Sequence, residues 1–211
     1  VLKAARIGLA HSPDDPRATW WIMIPVPHRS GGDPPPIVAV KGFGFDPAAA
    51  VWKRTDDGRK IPRNAGSAAL YDLVPSDSFD TPVVVCEGEL DALSALSHGF
   101  NAVTGTSGAS TFRDEWAEDL ARLSPAQDHG IVVAFDGDDT GRTYAPKTAE
   151  TLHVAGLDVR VASLPDGRDV NDVLVNGGSA DLHAYLAQAE PFPSTEEAPT
   201  SGEALEQTEA E

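Results

Sequence analysis

Cysteine is almost missing from this 211-residue chain, with Cys86 its single representative. One thiol can build neither a disulfide framework nor a Cys-pair zinc ribbon, so no zinc is expected within these residues and the setting expected is reducing and cytoplasmic. Long apolar runs are missing too. None approaches the roughly 20 residues of a membrane span, and no signal peptide is visible, so no membrane partner is expected. The six histidines lack metal-ligand spacing, and no Gly-x-x-x-x-Gly-Lys-Ser/Thr phosphate loop occurs. Bases are scarce: 16 Lys and Arg stand against 33 Asp and Glu, a net charge of −17. The total argues against a nucleic-acid partner, which needs clustered cations. Its distribution does not. Seven acids (Glu190, Glu196, Glu197, Glu203, Glu206, Glu209, Glu211) and no base lie in the last 22 residues, and the other 26 acids against 16 bases leave −10. Conversely Lys53, Arg54, Arg59, Lys60 and Arg63 put five bases within eleven residues, which fits a solvated loop or a nucleic-acid contact.

What is present is a set of apolar runs that end on carboxylates. Val83–Cys86 runs into Glu87, Ile131–Phe135 into Asp136, and Val159–Ala162 into the segment Asp166–Asp172. Short β-branched runs bounded by turn residues predict buried parallel strands. Open α/β sheets carry their ligands beyond the carboxyl ends of such strands, so these acids are expected on one edge.

Strand and helix patterns alternate from 83 to 189, which predicts a doubly wound α/β sheet with helices on both faces. The expected helices follow Gly88, begin at a Thr111 cap, follow Gly141 to about Val154, and lie near Asp169–Val175 and Ala180–Ala189. Pro146 must sit early in its helix or kink it. Upstream, Trp21–Val26 and Ile37–Lys41 flank a Gly/Pro-rich turn at Ser30–Pro36 and predict a hairpin. The expected organisation is a poorly ordered start (1–19), a small β-rich subdomain (20–79), an α/β domain (80–189) and a disordered acidic tail (190–211). The chain begins at Val1, which fits a non-standard start codon or a missing amino-terminal portion.

Hard cations prefer oxygen ligands, and carboxylates at strand ends present them from a rigid frame. Asp136 and Asp138 can share an ion across a Gly-rich turn. The helix after Gly141 offers backbone N–H groups to phosphate, with Arg142 beside it. Glu87 and Asp91, four apart, share a helix face. The loop Gly105–Gly108 fits a phosphate cradle as well as an ordinary strand-to-helix turn. Cys86 is expected to be a buried small hydrophobe, and Trp20 and Trp21 to be core rather than base-stacking platforms.

Three segments then carry a resemblance: Cys86-Glu87-Gly88-Glu89-Leu90-Asp91-Ala92-Leu93, Phe135-Asp136-Gly137-Asp138-Asp139-Thr140-Gly141-Arg142, and Leu164-Pro165-Asp166-Gly167-Arg168-Asp169-Val170-Asn171-Asp172. Together they resemble the three motifs of the TOPRIM domain, in the form found in bacterial and bacteriophage DNA primases, over about residues 82–175. Ile22–Val26, Ile37–Phe43 and Ala69–Leu73 are more weakly similar to the small subdomain that precedes TOPRIM in primase polymerase cores. The resemblance implies a Rossmann-like TOPRIM fold and nucleotidyl transfer dependent on Mg²⁺ or Mn²⁺, making RNA primers on single-stranded DNA from ribonucleoside triphosphates. A replicative helicase is a further partner it brings in. By motif match Glu87 is the acid/base or metal-organising carboxylate, supported by Asp91, while Asp136, Asp138 and Asp169 are metal ligands. Asp139, Asn171 and Asp172 are additional ligands or supports, and Lys53, Arg54, Arg59, Lys60, Arg63, Gly105, Gly141 and Arg142 hold phosphate or nucleic acid. Asn171 stands where some primases carry a second acid, a variant associated with phage primase-helicases. Two alternatives remain open from the residues: a Mg²⁺-dependent nuclease using the same acids, and a non-catalytic nucleic-acid-binding accessory protein of a mobile element.

Overall fold

Two sheets organise the residues that the computed structural model describes, 5–27, 36–72, 80–106 and 108–193. The first sheet is antiparallel throughout. It contains β1 (Gly8–His11), β2 (Trp20–Pro27), β3 (Ile37–Asp46), β4 (Val51–Trp52) and β5 (Pro62–Gly66), with β4 and β5 both pairing with β3. Order begins before Trp20, contrary to the expectation for residues 1–19, because β1 pairs Gly8–His11 with Trp20–Met23. The Pro13–Pro16 cluster that rules out a helix instead forms the β1–β2 connection, where the Asp15 carboxylate accepts from the backbone and guanidinium of Arg17. The turn expected at Ser30–Pro36 falls almost entirely outside the described residues.

The second sheet is α/β. In chain order it holds β6 (Leu70–Asp72), β7 (Val83–Cys86), α1 (Glu89–Ser97), β8 (Asn101–Gly105), α2 (Asp114–Leu120), α3 (Ser124–His129), β9 (Ile131–Ala134), α4 (Asp139–Val154), β10 (Val159–Val161), α5 (Val170–Ala187) and β11 (Glu190–Phe192). The strand order is β11-β10-β9-β7-β8-β6. The four central strands are parallel and the two edges antiparallel. All four residues of β7 and of β9 are buried, as expected for strands covered on both faces.

Alternation along these strands divides the core. Val84, Cys86, Val132 and Ala134 point to the face covered by α1, α5 and the first sheet, where they meet Leu93, Leu96, Leu174, Leu182, Ile24 and Val26. Val83, Val85, Ile131 and Val133 point to the other face and meet Ala117, Leu120, Ala149 and Leu152 of α2 and α4. Each such side chain contributes roughly 1.5–3 kcal/mol by leaving water. Cys86 is a buried small hydrophobe in this core, its thiol pKa pushed well up by burial.

Three boundaries differ from expectation. Residues 70–72, expected in the small subdomain, join the larger sheet as β6, and the boundary segment 73–79 is outside the described residues. Thr111 lies in a 3₁₀ turn, Ala109–Thr111, and α2 starts three residues later with Arg113 as its cap. The two carboxy-terminal helices are both present within α5, separated at Gly178 (φ 71°), where glycine supplies the left-handed conformation that other residues resist. Glu190–Phe192, placed in the acidic tail, pairs with β10 as an edge strand; residues 194–211 are outside the described residues. Pro146 lies well inside α4.

Candidate active site

The parallel register sets Cys86 beside Ala134, so β7 and β9 release the chain at the same height. Glu87 and Asp136 therefore emerge side by side, and the Asp136 backbone N–H donates to Glu87 Oε2 at 3.4 Å. Asp91 follows one turn into α1, where its Oδ1 accepts from Asn171 N at 3.2 Å. That bond ties α1 to the start of α5, which Asp169 caps by accepting from Asp172 N at 2.6 Å. Glu87, Asp91, Asp136 and Asp169 thus line one cavity of about 370 Å³, together with Lys41, Phe43, Lys60, Pro62 and Asn64 from the first sheet and Gly108 from the loop after β8.

Glycine makes the loop after β9 buildable. A Cβ on Gly137 would lie 2.0 Å from the Pro165 carbonyl oxygen, and one on Gly141 would lie 2.0 Å from that of Asp136. Gly137 N donates to Arg168 O and Gly167 N donates to Gly137 O, both at 2.8 Å, so the second and third acidic loops are laced together.

Burial, and after it the crowding of like charges, sets the electrostatics. Burial, then Glu87, Asp91, Asp169 and Asp138, push Asp136 up to about 8. Burial and then Asp169 push Asp91 up to about 7. Burial raises Glu87 too, with Asp138 adding to it against the Asp136 N–H. Half-buried carboxylates that hinder one another's ionisation need a cation or protons to offset them. The donor set is oxygen only and fits a hard divalent ion such as Mg²⁺. Among the described residues no group of three or more His, Cys, Asp and Glu side chains is gathered closely enough to hold an ion as it stands, so ligation requires the carboxylates to turn inward.

The other candidate residues are placed differently. Asp138 caps α4, its Oδ1 accepting from Gly141 N at 2.8 Å, which commits one oxygen and leaves the second. Gly141 thereby donates its N–H to a carboxylate. Asp139 is exposed in the first turn of α4. The Asn171 Oδ1 accepts from Ser94 Oγ at 2.6 Å, joining α1 and α5, and Asp172 gives its N–H to Asp169. Arg142 donates to Gly137 O and Asp166 Oδ1, both at 2.9 Å, and so laces the loops. Gly105 pairs with Leu70 in the sheet, and a Cβ there would meet the Trp116 ring at 2.5 Å; Gly108, in the loop after β8, lines the cavity. Of the five clustered bases only Lys60 lines the cavity. Lys53 pairs with Asp46 at 3.1 Å, Arg54 donates to Gly58 O, Arg59 pairs with Asp57, and Arg63 reaches Ser12, Asp15 and the Trp21 ring.

Two further residues belong here. Lys41 and Glu89, 15% and 8% exposed, form an ion pair at 3.6 Å that joins the first sheet to α1. A lone lysine in an apolar strand and an acid in a helix's first turn each look ordinary in sequence; only the sheet-to-helix packing pairs them.

Residues 84–174 match the family model described as Toprim-like. These residues are a Toprim-like domain. The chain is 29% identical over 110 residues to a DNA primase of Chlamydia pneumoniae, a match covering 52% of this chain and 18% of that one. It is 28% identical over 137 residues to the gene 57 protein of Mycobacterium phage D29, covering 64% of this chain and 84% of that one. The chain spans under a fifth of the length of the curated primases it matches first. A DNA primase domain from Pseudomonas aeruginosa superposes with a TM-score of 0.62 at 24% identity, over 90% of this chain and 58% of that chain. The Toprim-like domain and the sheet before it thus share the fold of primase cores. No helix among the described residues is long and apolar enough to cross a membrane.

Proposed function

We propose that this chain carries the nucleotidyl-transfer core of a DNA primase, joining ribonucleotides on single-stranded DNA. The observation that carries the reading is the cavity itself: four carboxylates from the Toprim-like domain face Lys60 of the preceding sheet, with the Lys41–Glu89 pair on its wall. A hydrolase needs only the acids, whereas holding a triphosphate beside them calls for a cation opposite.

In this reading Glu87, Asp136 and Asp169 hold Mg²⁺ or Mn²⁺, with Asp138 contributing its uncommitted oxygen. The ion supplies Lewis-acid stabilisation of charge on the phosphates. Lys60 binds the triphosphate as a point charge. Glu87, through the carboxylate oxygen left free by the ion, would accept the proton of the attacking 3′ hydroxyl as the hydroxyl oxygen bonds to the α-phosphorus and pyrophosphate departs. Asp91 acts at one remove, holding α5 and hence Asp169 in register. The resemblance adds a replicative helicase as a partner.

The test is incubation with single-stranded DNA, ribonucleoside triphosphates and Mg²⁺. The wild type should make oligoribonucleotides and Glu87→Gln none, while labelled DNA without nucleotides should stay intact. Cleavage of that DNA without primer synthesis would replace this reading by the nuclease.

A further inference from the structure

The first sheet carries a feature that its packing on the Toprim-like domain does not use. Cross-strand register sets His11 opposite Trp20, Trp20 opposite Phe45, and Phe45 opposite Trp52. Residues directly opposite in an antiparallel pair share a face, so these four rings form one row across β1, β2, β3 and β4. His11 stacks on Trp20 at 4.4 Å, and Trp52 meets Phe45 edge-on at 5.8 Å and Phe43 at 6.1 Å. Further along the same face, toward the other end of the strands, Ile24, Val26 and Ala39 are buried against the Toprim-like domain. The aromatic row extends past that contact. His11 is exposed and the other three rings are partly exposed, and Leu9, in the next row, is 60% exposed.

A row of aromatic side chains only partly covered on a sheet face, with an exposed leucine beside it, fits an occupant. Two observations say which. Lys60 stands over the Trp52 ring, 5.8 Å from its centroid, so a cation flanks the rings in a chain that is otherwise strongly acidic. The row is also continuous with the candidate active site: Phe43, two residues along β3 from Phe45 and on the same face, lines the acidic cavity, as does Lys60. Flat π-faces flanked by a cation, about 7 Å of strand from an acidic cavity, match bases stacked in sequence on a backbone that cations track.

We infer that the row His11–Trp20–Phe45–Trp52 is a stacking platform for the unpaired bases of single-stranded DNA entering the cavity. This rests on the primase reading and deepens it by naming where the template lies. Stacking is tolerant of sequence, so the platform holds template without selecting it.

The experiment is fluorescence anisotropy of a labelled oligo-dT with the full chain, without metal or nucleotides. Trp20→Ala and Trp52→Ala should each weaken binding about tenfold and leave the salt slope unchanged. The double variant Trp20→Phe/Trp52→Phe keeps the rings, and should keep the affinity while losing the DNA-induced quenching of tryptophan fluorescence. Trp116→Phe, away from the row, should change neither. Undiminished affinity in both alanine variants, with their folds intact by circular dichroism, would overturn the inference. So would a change in sedimentation coefficient instead of DNA affinity, which would give the row to a second copy of the chain. Because no nucleotide is present, the outcomes separate: a chain that binds through the row but makes no primer refutes the primase reading alone.

Discussion

Asp136→Asn should stabilise the metal-free protein, although it removes a proposed metal ligand. The Asp136 carboxyl is pushed up to about 8 by burial and its acidic neighbours, whereas an unfolded aspartate titrates near 4. Between those values the folded chain binds more protons than the unfolded one, so stability falls as pH rises, and the loss is complete above the folded pKa. This is the reverse of a salt-bridged carboxylate. A shift of about four units at about 1.4 kcal/mol each sets a ceiling near 6 kcal/mol. Asp136 is half-buried and water screens it, which brings the figure to about 2 kcal/mol. For a chain of this size that corresponds to roughly 4–8 °C in Tm. Thermal unfolding followed by circular dichroism in EDTA at pH 8 should therefore show Asp136→Asn melting above the wild type, with the gap closing toward pH 4. Adding Mg²⁺ should raise the wild type more than the variant, because ligand binding to the native state stabilises it by mass action. A variant that melts lower than wild type in EDTA at pH 8, or an equal Mg²⁺ response in both, would refute the reasoning.

Gly141→Ala should cost about 2–3 kcal/mol or more in urea unfolding, because its methyl would sit 2.0 Å from the Asp136 carbonyl oxygen. Asp138→Ala should lose about 1 kcal/mol as the cap of α4, apart from any effect on metal affinity. Lys41→Met should destabilise by about 3–5 kcal/mol by leaving Glu89 buried without its partner, and the double change Lys41→Met/Glu89→Gln should restore most of it. Equal losses in the single and double variants, measured by chemical denaturation, would show that the pair is not what holds the sheet to α1.

The α/β half was legible because its signals are local and redundant. Val83–Cys86 and Ile131–Ala134 are β-branched runs, each stops at an acid, and the parallel register then has to bring Glu87 and Asp136 together. The cap residues were harder. Asp138 and Asp169 look in sequence like any acid of a metal motif, but each also satisfies the first N–H groups of a helix, and that competition shows only in the folded chain. Arg142 beside a helix start pointed to phosphate; what the sequence did not show is that its guanidinium donates to Gly137 O and to Asp166, a partner 24 residues away. Strand β1 escaped because four residues on an exposed edge carry almost no pattern. The aromatic row escaped because its members, His11, Trp20, Phe45 and Trp52, come from four strands, and only register aligns them.

The central claim is that the acids released by β7 and β9, with the cap of α5, form one divalent-cation site. Crystals grown with Mn²⁺ and measured for anomalous scattering test it directly. A peak is expected between Glu87, Asp136 and Asp169 and should be lost in Asp136→Asn; a peak confined to other residues, or none at all in crystals whose wild-type protein binds Mn²⁺ in solution, would rule out a shared site.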